Sequence, residues 1–548
     1  MFLVNTNHFR WAWATGISVL AVLSVQADNH QPVADSLVMN PSVVDRDYQE
    51  TELRFYASPS QNASFLTEME GGNLSYLECS GQLRRGKLVD YYQSDRSRIF
   101  DVQTGSYYRF SDRLMLAGSL SYGSDRGKHQ SGSVFIHPEQ APFDIVEMDP
   151  QHAGTKRREW YSLSGRAGYA IHEKVSLGAA LDYTIENYAK FKDLRHQNSL
   201  MDLHVSVGGK YRIVPQITLG AAYVYRRNIE RVSFKIYGNT DQQYTSLISF
   251  GGFYGRSELF GESGYTSHAL PLFTQTHGGT VQLAAEKGGM KWFNEWGFYQ
   301  EDGRFGTGAS TAITYSHHRG NLLEYRSKLI RSCGRLLHVI GLNAYRRSLE
   351  NEENSYKEST DANGVSQMVY YGSNRVGKKV WKGASVSYTL LSGSTPRKRA
   401  DWMAGMEAGY EARLLTASPY PFYRKQDIRT VHGTAFFTRN WLGRKQGYSL
   451  SVEAGYAAGW GHRNQDGTYA SVSEHQKAPV SLEHYLNQEY DYRVSRQVKS
   501  GVSGGYERAL SSRLSLYAKV EVTYLVALNT RLKGESQTVC GLSAGVKF

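Results

Sequence analysis

From Leu514 onward, Leu514, Leu516, Ala518, Val520, Val522 and Tyr524 alternate with Ser515, Tyr517, Lys519, Glu521 and Thr523. One face of such a segment is apolar and the other largely polar, the period of two that marks a β-strand. The alternation returns at Leu114, Leu116, Gly118, Leu120 and Tyr122; at Val175, Leu177, Ala179, Leu181 and Tyr183; and at Ile217, Leu219, Ala221, Tyr223 and Tyr225. Trp402, Ala404, Met406, Ala408 and Tyr410 repeat it, as do Tyr448, Leu450, Val452, Ala454, Tyr456 and Trp460. Each stretch has roughly the 9–11 residues that cross a bilayer as a tilted strand. Tyr and Trp recur at segment ends, where a lipid-facing barrel carries its aromatic girdles.

A soluble β-sandwich alternates too, and the connections separate the two. Tight joins fall at 111–113, 172–174, 214–216, 288–289, 332–334, 393–398, 443–446 and 510–512. Between them lie long polar connections, near 124–158, 186–199, 228–277, 301–320, 349–376, 415–426 and 461–488. Short and long joins therefore alternate, as tight periplasmic turns and long extracellular loops do. A sandwich has no reason to keep that rhythm.

The turns predict strands at 73–84, 98–110, 114–123, 159–170, 175–185, 200–212, 217–227, 278–287, 290–300, 321–331, 335–347, 378–391, 401–414, 427–439, 447–460, 489–506, 513–527 and 537–548. The expected fold is all-β: a transmembrane antiparallel β-barrel of about 18 strands, an even number as single-chain bacterial barrels have. The pattern is weakest at 73–84, 278–300 and 321–347, and without some of these the count is 14 or 16. In lipid every backbone N–H and C=O must be paired inside the protein, so strands can span only as a closed barrel.

The two ends of the chain fit an exported barrel. A polar stretch with His8 and Arg10, an apolar run from Trp11 to Val25 and Ala27 make residues 1–27 a signal peptide, too short in its apolar part for the ~20 residues of a spanning helix. Residues 28–70 lack a clear period and read as a periplasmic extension or a luminal plug; 71–548 form the barrel. At the other end Phe548, Val546, Ala544, Leu542 and Cys540 share one face, and Lys547, Gly545, Ser543 and Gly541 the other. A terminal Phe closing such a strand resembles the C-terminal signal read by the barrel-insertion machinery, an expected partner together with outer-membrane lipid.

Composition narrows the alternatives. The chain has 548 residues, 54 Gly against 12 Pro, and 39 Tyr; Gly serves turns, while Pro would remove ladder donors. The net charge of +12 comes from Lys and Arg spread along the chain beside a comparable number of acids, without the basic stripe of a nucleic-acid binder, so no nucleic acid is expected. Cys79, Cys333 and Cys540 lie far apart, an odd number that argues against a disulfide framework or a metal cluster. They are expected to be passive wall residues.

The stretches Ser97-Arg98-Ile99-Phe100-Asp101, Gly105-Ser106-Tyr107-Tyr108-Arg109, Gly118-Ser119-Leu120-Ser121-Tyr122 and Gly132-Ser133-Val134-Phe135 resemble an uncharacterised Bacteroidota outer-membrane barrel family, a domain of unknown function. The resemblance runs through most of the mature chain. It implies an outer-membrane barrel and supplies no catalytic or binding residue.

If the apolar parity faces lipid, the opposite parity lines the lumen: Arg166, Asp202, His204, Lys210, Glu286, Lys291, Glu295, Glu407, Glu411, Glu453, Arg493, Lys499, Lys519 and Glu521. Both signs of charge are present. An 18-stranded barrel is wide enough for an aqueous channel unless its own segments fill it. The expected function is a pore or transporter for polar or amphipathic solutes; the alternative is a plugged barrel that binds a surface partner or serves a structural role. An outer-membrane hydrolase is disfavoured, because Ser267-His268 and His317-His318 are neighbours in sequence without the geometry of a general base. Asp361-Ala362-Asn363-Gly364 and Asn464-Gln465-Asp466-Gly467 have turn chemistry and lack the full spacing of a calcium loop. No catalytic residue, metal or cofactor is therefore expected. The connection 228–277 carries Phe234, Tyr237, Phe250, Phe253 and Tyr254, too many aromatics for a solvated tether, and is expected to fold over or into the barrel mouth as a gate or constriction.

Overall fold

The computed structural model describes residues 47–548 apart from 239–240, 262–263, 268, 308–311, 361–363, 365 and 397. The expected signal peptide lies outside the described residues. The chain opens with helix α1 (Tyr48–Arg54) and a 3-10 turn (Ala63–Glu68). Then follow β1 (Leu74–Gly86), β2 (Arg96–Arg109), β3 (Leu114–Gln130), β4 (Asp144–Glu147), β5 (Gly154–His172), β6 (Val175–Lys190), β7 (Arg195–Val214) and β8 (Ile217–Lys235). Next come β9 (Thr245–Ser249), β10 (Tyr254–Leu259), β11 (Leu270–Lys287), β12 (Met290–Gly306), β13 (Thr314–Cys333), β14 (Leu336–Thr360), β15 (Ser366–Ser392) and β16 (Trp402–Ala417). The last elements are β17 (Phe422–Leu442), β18 (Gln446–Thr468), β19 (Val480–Ser481), α2 (Glu483–Val494), β20 (Gln497–Ala509), β21 (Ser515–Ala527) and β22 (Ser536–Lys547).

Eighteen of these strands form one antiparallel sheet that closes on itself, β1 pairing β22 from Tyr76↔Lys547 to Gly86↔Gln537. Each of the 18 segments expected from the sequence contains a barrel strand, including the five in the three weakest stretches. Closure leaves no unpaired edge, which lipid requires. No described helix is long and apolar enough to cross a membrane, so the crossing falls to the strands.

The outer face carries the apolar parity. Leu177, Leu181, Val207, Tyr223, Val281, Phe298, Met406, Val452, Val502, Val520 and Leu542 are all exposed on it. Side chains that would be a liability in water form a continuous belt, the surface a hydrocarbon layer covers. Aromatic pairs edge the belt, among them Tyr122–Tyr161 and Tyr448–Tyr506 with ring centroids 5.1 and 5.2 Å apart. Cys79, Cys333 and Cys540 are free and exposed. Phe548 continues the outer face as an exposed ring, while its backbone is tied to Ser75 by bonds of 2.8 and 2.9 Å.

Above the belt the strands run on. β14 and β15 reach 25 and 27 residues and pair as far as Thr360↔Ser366, so much of the expected loops 301–320, 349–376 and 415–426 is strand. The physical reason is that a strand above the membrane has water outside and polar contacts inside, so its two faces no longer differ in polarity. The expected strand 489–506 is also corrected: α2 occupies its first residues and β20 begins only at Gln497.

The interior is filled at both ends. Residues 47–70 lie across the periplasmic opening, where Phe55, Tyr56, Ala57, Phe65, Leu66 and Met69 pack on Met115, Phe293, Ile330, Leu337 and Leu391 of the inner wall. At the extracellular end, segments 131–149, 244–261, 264–267 and 480–494 form a cap, built on a second sheet in the order β19-β10-β9-β4. Its apolar centre includes Phe135, Phe143, Ile145, Ile248, Phe250 and Tyr265, packed on Phe234, Leu272, Phe305 and Tyr315 of the wall.

Candidate functional site

The periplasmic segment enters the barrel as a lid whose backbone is caught by side chains from the wall. Asp47 caps α1 through Glu50 N at 3.0 Å, and Asn62 caps the 3-10 turn through Ser64 N at 3.1 Å. Lys328 donates to Glu52 O and Phe55 O, both at 3.1 Å, and Ser206 donates to Gln61 O at 2.7 Å. The Asn62 amide in turn donates to Gly209 O at 2.9 Å and Ala221 O at 3.1 Å. Glu295, almost wholly buried, accepts from Gln61 N, Ser60 Oγ and the Gln282 amide at 2.9–3.0 Å, with Arg326 3.6 Å away. Glu68 joins Tyr56, Lys210 and Arg212. A buried irregular segment must satisfy its peptide groups somewhere, and here the wall does it.

Close approach is needed as well. A Cβ on Gly178 would stand 2.0 Å from Ser64 N and 2.3 Å from the Ala63 carbonyl carbon, so only glycine admits the lid backbone there.

The lid's charges are tuned by the barrel. Burial works against the Asp47 carboxylate, yet Arg399 and Lys547 hold its pKa down at about 2. Burial raises Glu50, whose carboxylate accepts from Ala400 N at 2.9 Å.

The cap is gripped in the same manner. Lys156 donates to Ser133 O at 2.8 Å, Lys379 to Ala141 O at 2.9 Å, Arg347 to Gln140 O at 2.9 Å, Asn351 to Pro142 O at 3.0 Å and Asn198 to Val134 O at 2.9 Å. Glu230 accepts from Ile136 N at 3.0 Å. Six side chains from five strands, β5, β7, β8, β14 and β15, thus hold one loop by its backbone. Beside it α2 places Glu489 against Arg413 at 2.5 Å, and Arg493 lies 3.1 Å from Asp90. Burial raises Asp90 to about 6 against the opposing pull of Arg493, and burial likewise raises Asp144 to about 6.

Between lid and cap the inner wall leaves charged side chains accessible. Arg226, which points inward, keeps 45% of its side chain accessible while bonding Asp202 at 2.6 and 2.9 Å. Lys519 and Glu521 on the inner face of β21 are 50% and 45% accessible and 3.2 Å apart. His204 lies 3.3 Å from Asp182, and Lys499 pairs with Glu453.

Strand pairing places Arg166, Asp202, His204, Lys210, Glu295, Glu407, Glu411, Glu453, Lys499, Lys519 and Glu521 on the inner parity. Lys210 and Glu295 are covered by the lid, and Glu286 and Lys291 stand at the periplasmic rim, Lys291 2.5 Å from Glu70. Arg493 is a correction: it belongs to α2 in the cap and not to a wall strand, because its segment coils into the mouth before the strand starts. The residues that grip the cap, Lys156, Asn198, Glu230, Arg347, Asn351 and Lys379, were missed in the sequence. Lys156, Asn198, Glu230 and Asn351 lie in strand extensions where the alternation fades, and Arg347 and Lys379 stand at the ends of expected strands; a long polar side chain at every second position was the available signal.

Among the remaining candidates, His317 faces out and His318 is buried facing in. His268 and residues 361–363 lie outside the described residues. Asp466 is bonded to Arg424 at 2.6 and 2.8 Å within a strand, where a turn was expected. No group of three potential ligands that could hold a metal occurs among the described residues. Of the aromatics in 228–277, Phe234, Phe250, Phe253 and Tyr254 are buried and Tyr237 is exposed.

The molecule is thus a closed 18-stranded antiparallel barrel of the outer-membrane type, carrying a lid and a cap made from its own chain. Over residues 63–548 it matches the model of a family of unknown function, DUF6850, and it belongs to that family. No curated protein matches it in sequence. Solved structures similar to it include the ferric preacinetobactin receptor BauA of Acinetobacter baumannii, at 8% identity and a TM-score of 0.38, covering 87% of this chain and 80% of that one. The FrpB iron transporter of Neisseria meningitidis is 9% identical, with 89% and 84% covered and a TM-score of 0.38. The monoaromatic hydrocarbon channel CymD is 10% identical, with 89% and 91% covered and a TM-score of 0.28. Likeness at this level says nothing about substrate.

Proposed function

We propose that the protein is a gated outer-membrane transporter for polar solutes, closed at rest by its lid and its cap. The observation that carries this reading is the accessible wall, bearing charges of both signs, between two closures that the wall grips through hydrogen bonds and ion pairs as well as apolar packing. Polar contacts can be exchanged for water at modest net cost, about 1 kcal/mol each, whereas a purely apolar plug would resist rewetting. Mixed charge along the wall suits hydrated or amphipathic solutes and selects no single sign. The rival reading, a permanently plugged barrel displaying loops to a surface partner, is favoured by the buried aromatic centre of the cap.

Planar-bilayer recording distinguishes the two. The full mature chain is expected to be silent at rest and to open to a fixed, reversible conductance in moderate urea, which loosens the closures before the barrel. Deletion of 28–70 combined with Glu489→Ala and Arg493→Ala should give that conductance without urea. Silence of the deletion variant in urea, with the barrel still folded, would leave the plugged-platform reading.

A further inference from the structure

Outside the barrel, directly above the apolar belt, β11–β15 form a concavity of about 760 Å³ on the lipid-facing wall. Strand register fixes its floor and walls. Phe298 pairs Leu323 at the top of the belt; one step up Gln300 pairs Asn321, then Asp302 pairs Arg319 and Arg304 pairs His317. On the next strand Leu323 faces Arg346, and Arg346 faces Lys382 across β15.

The acids here are mostly engaged. Asp302 takes Arg319 at 3.0 Å, Glu350 takes Lys378 at 2.7 Å and Arg375 at 3.0 Å, and Glu352 accepts the Ser373 hydroxyl at 3.1 Å. Two cations that line the concavity, Arg304 and Arg346, have no ion pair among the described residues, and neither have their neighbours Arg227 and Lys382. Arg227 and Arg304 both lie against the Phe273 ring, 5.4 and 5.0 Å from its centroid. The Arg304 Nε is buried in the structure without a hydrogen-bond partner. Arg346 and Lys382 stand directly opposite each other across the ladder, a like-charge pair that costs stability unless an anion lies between them.

We propose that this concavity binds the phosphorylated headgroup of an anionic outer-leaflet lipid, its acyl chains running down over Phe298 and Leu323. The site is continuous with the belt, so its ligand must be apolar below and anionic above, which free phosphate is not. Guanidinium groups match phosphate oxygens bidentately, and Arg304 and Arg346 supply two of them. The bound lipid would also neutralise the Arg346–Lys382 repulsion. This site is independent of the lumen and stands whether or not the barrel conducts.

Native mass spectrometry of the full mature chain in detergent tests it, with bisphosphorylated lipid A, its dephosphorylated form and inorganic phosphate as probes. The native chain should retain the bisphosphorylated lipid at one per barrel and at least about tenfold better than the dephosphorylated form. Arg304→Gln with Arg346→Gln should lose about tenfold or more, and Arg304→Lys with Arg346→Lys should keep part of the binding, with heat-modifiable gel migration confirming folded barrels. Equal retention of the two lipids overturns the proposal, as does unchanged retention by the Gln variant. Displacement of the lipid by inorganic phosphate at matching concentration also overturns it, leaving a free-anion site. If the Gln variant does not fold, the comparison of the two lipids on the native chain decides alone.

Discussion

At the scale of single residues, the closures depend on a few positions with steep local consequences. Gly178 is one. A side chain there meets the lid backbone at 2.0 Å, so Gly178→Val should disfavour the docked lid by about 1–3 kcal/mol or more, the range of overpacking. The expected readout is faster limited proteolysis within 55–70 with unchanged heat-modifiability of the barrel; unchanged protection would mean that the lid backbone yields. Titration offers a second handle. Asp90 and Asp144 rise from an ordinary value of 3.8 to about 6, so the folded cap binds more protons than the unfolded cap between those values. Their contribution to cap stability therefore falls as pH rises from about 4 through 6. His484, lowered by burial, acts with the opposite sign in the upper part of that window. Hydrogen exchange of α2, corrected for intrinsic rates, should show a larger gain in protection on going from pH 7 to pH 5 in the native chain than in Asp90→Asn/Asp144→Asn. Asp47 behaves the other way: its stabilisation is full above 3.8 and is lost as pH falls through about 2.

Among the elements, legibility in the sequence followed the solvent. Inside the hydrocarbon layer one face must be apolar, so Leu516 to Tyr524 and Leu177 to Ile185 announce themselves as strands. Above it the same strands, such as β14 beyond Leu349, carry Glu, Asn, Ser and Lys on both faces and read as loop. Helix α2 was invisible for a related reason: its sequence, EHYLNQEYDYRV, offers no apolar stripe because Glu489 and Arg493 are buried by pairing and not by hydrophobicity. The lid has no period at all, although Asp47 three residues before Glu50 was a legible helix start. Parity along the wall supports a prediction for β22. Leu542 is 60% exposed on the outer face, so Leu542→Arg should cost about 2–4 kcal/mol of stability in bilayers if it sits near the midplane. Urea titration in phospholipid vesicles measures this; an effect no larger than that of Ser543→Arg on the inner face would argue against the lipid-facing assignment.

For the whole molecule, the proposed gating makes the 18-stranded wall the permanent part and the closures the conditional one. Leu486 is fully buried among Val146, Leu247, Phe253 and Tyr485 of the cap and Tyr91 of the β1–β2 connection. Leu486→Asp should free the cap, seen as protease sensitivity in 480–494, while the barrel still migrates as a folded band. Deletion of 240–270 removes β9 and β10 and should change solute flux in liposome swelling, whereas unchanged permeability would show that the cap does not obstruct.

The lid's first contacts fall at the seam where the barrel closes. Asp47 lies 3.6 Å from Lys547 on the final strand, and Tyr48 packs on Tyr76 and Tyr107 of the first two. The docking place for the N-terminal segment is therefore complete only after the last strand to leave the ribosome has been zipped to the first. A half-built barrel has no complete seat for this segment, and the finished one is covered by residues made before any of its strands.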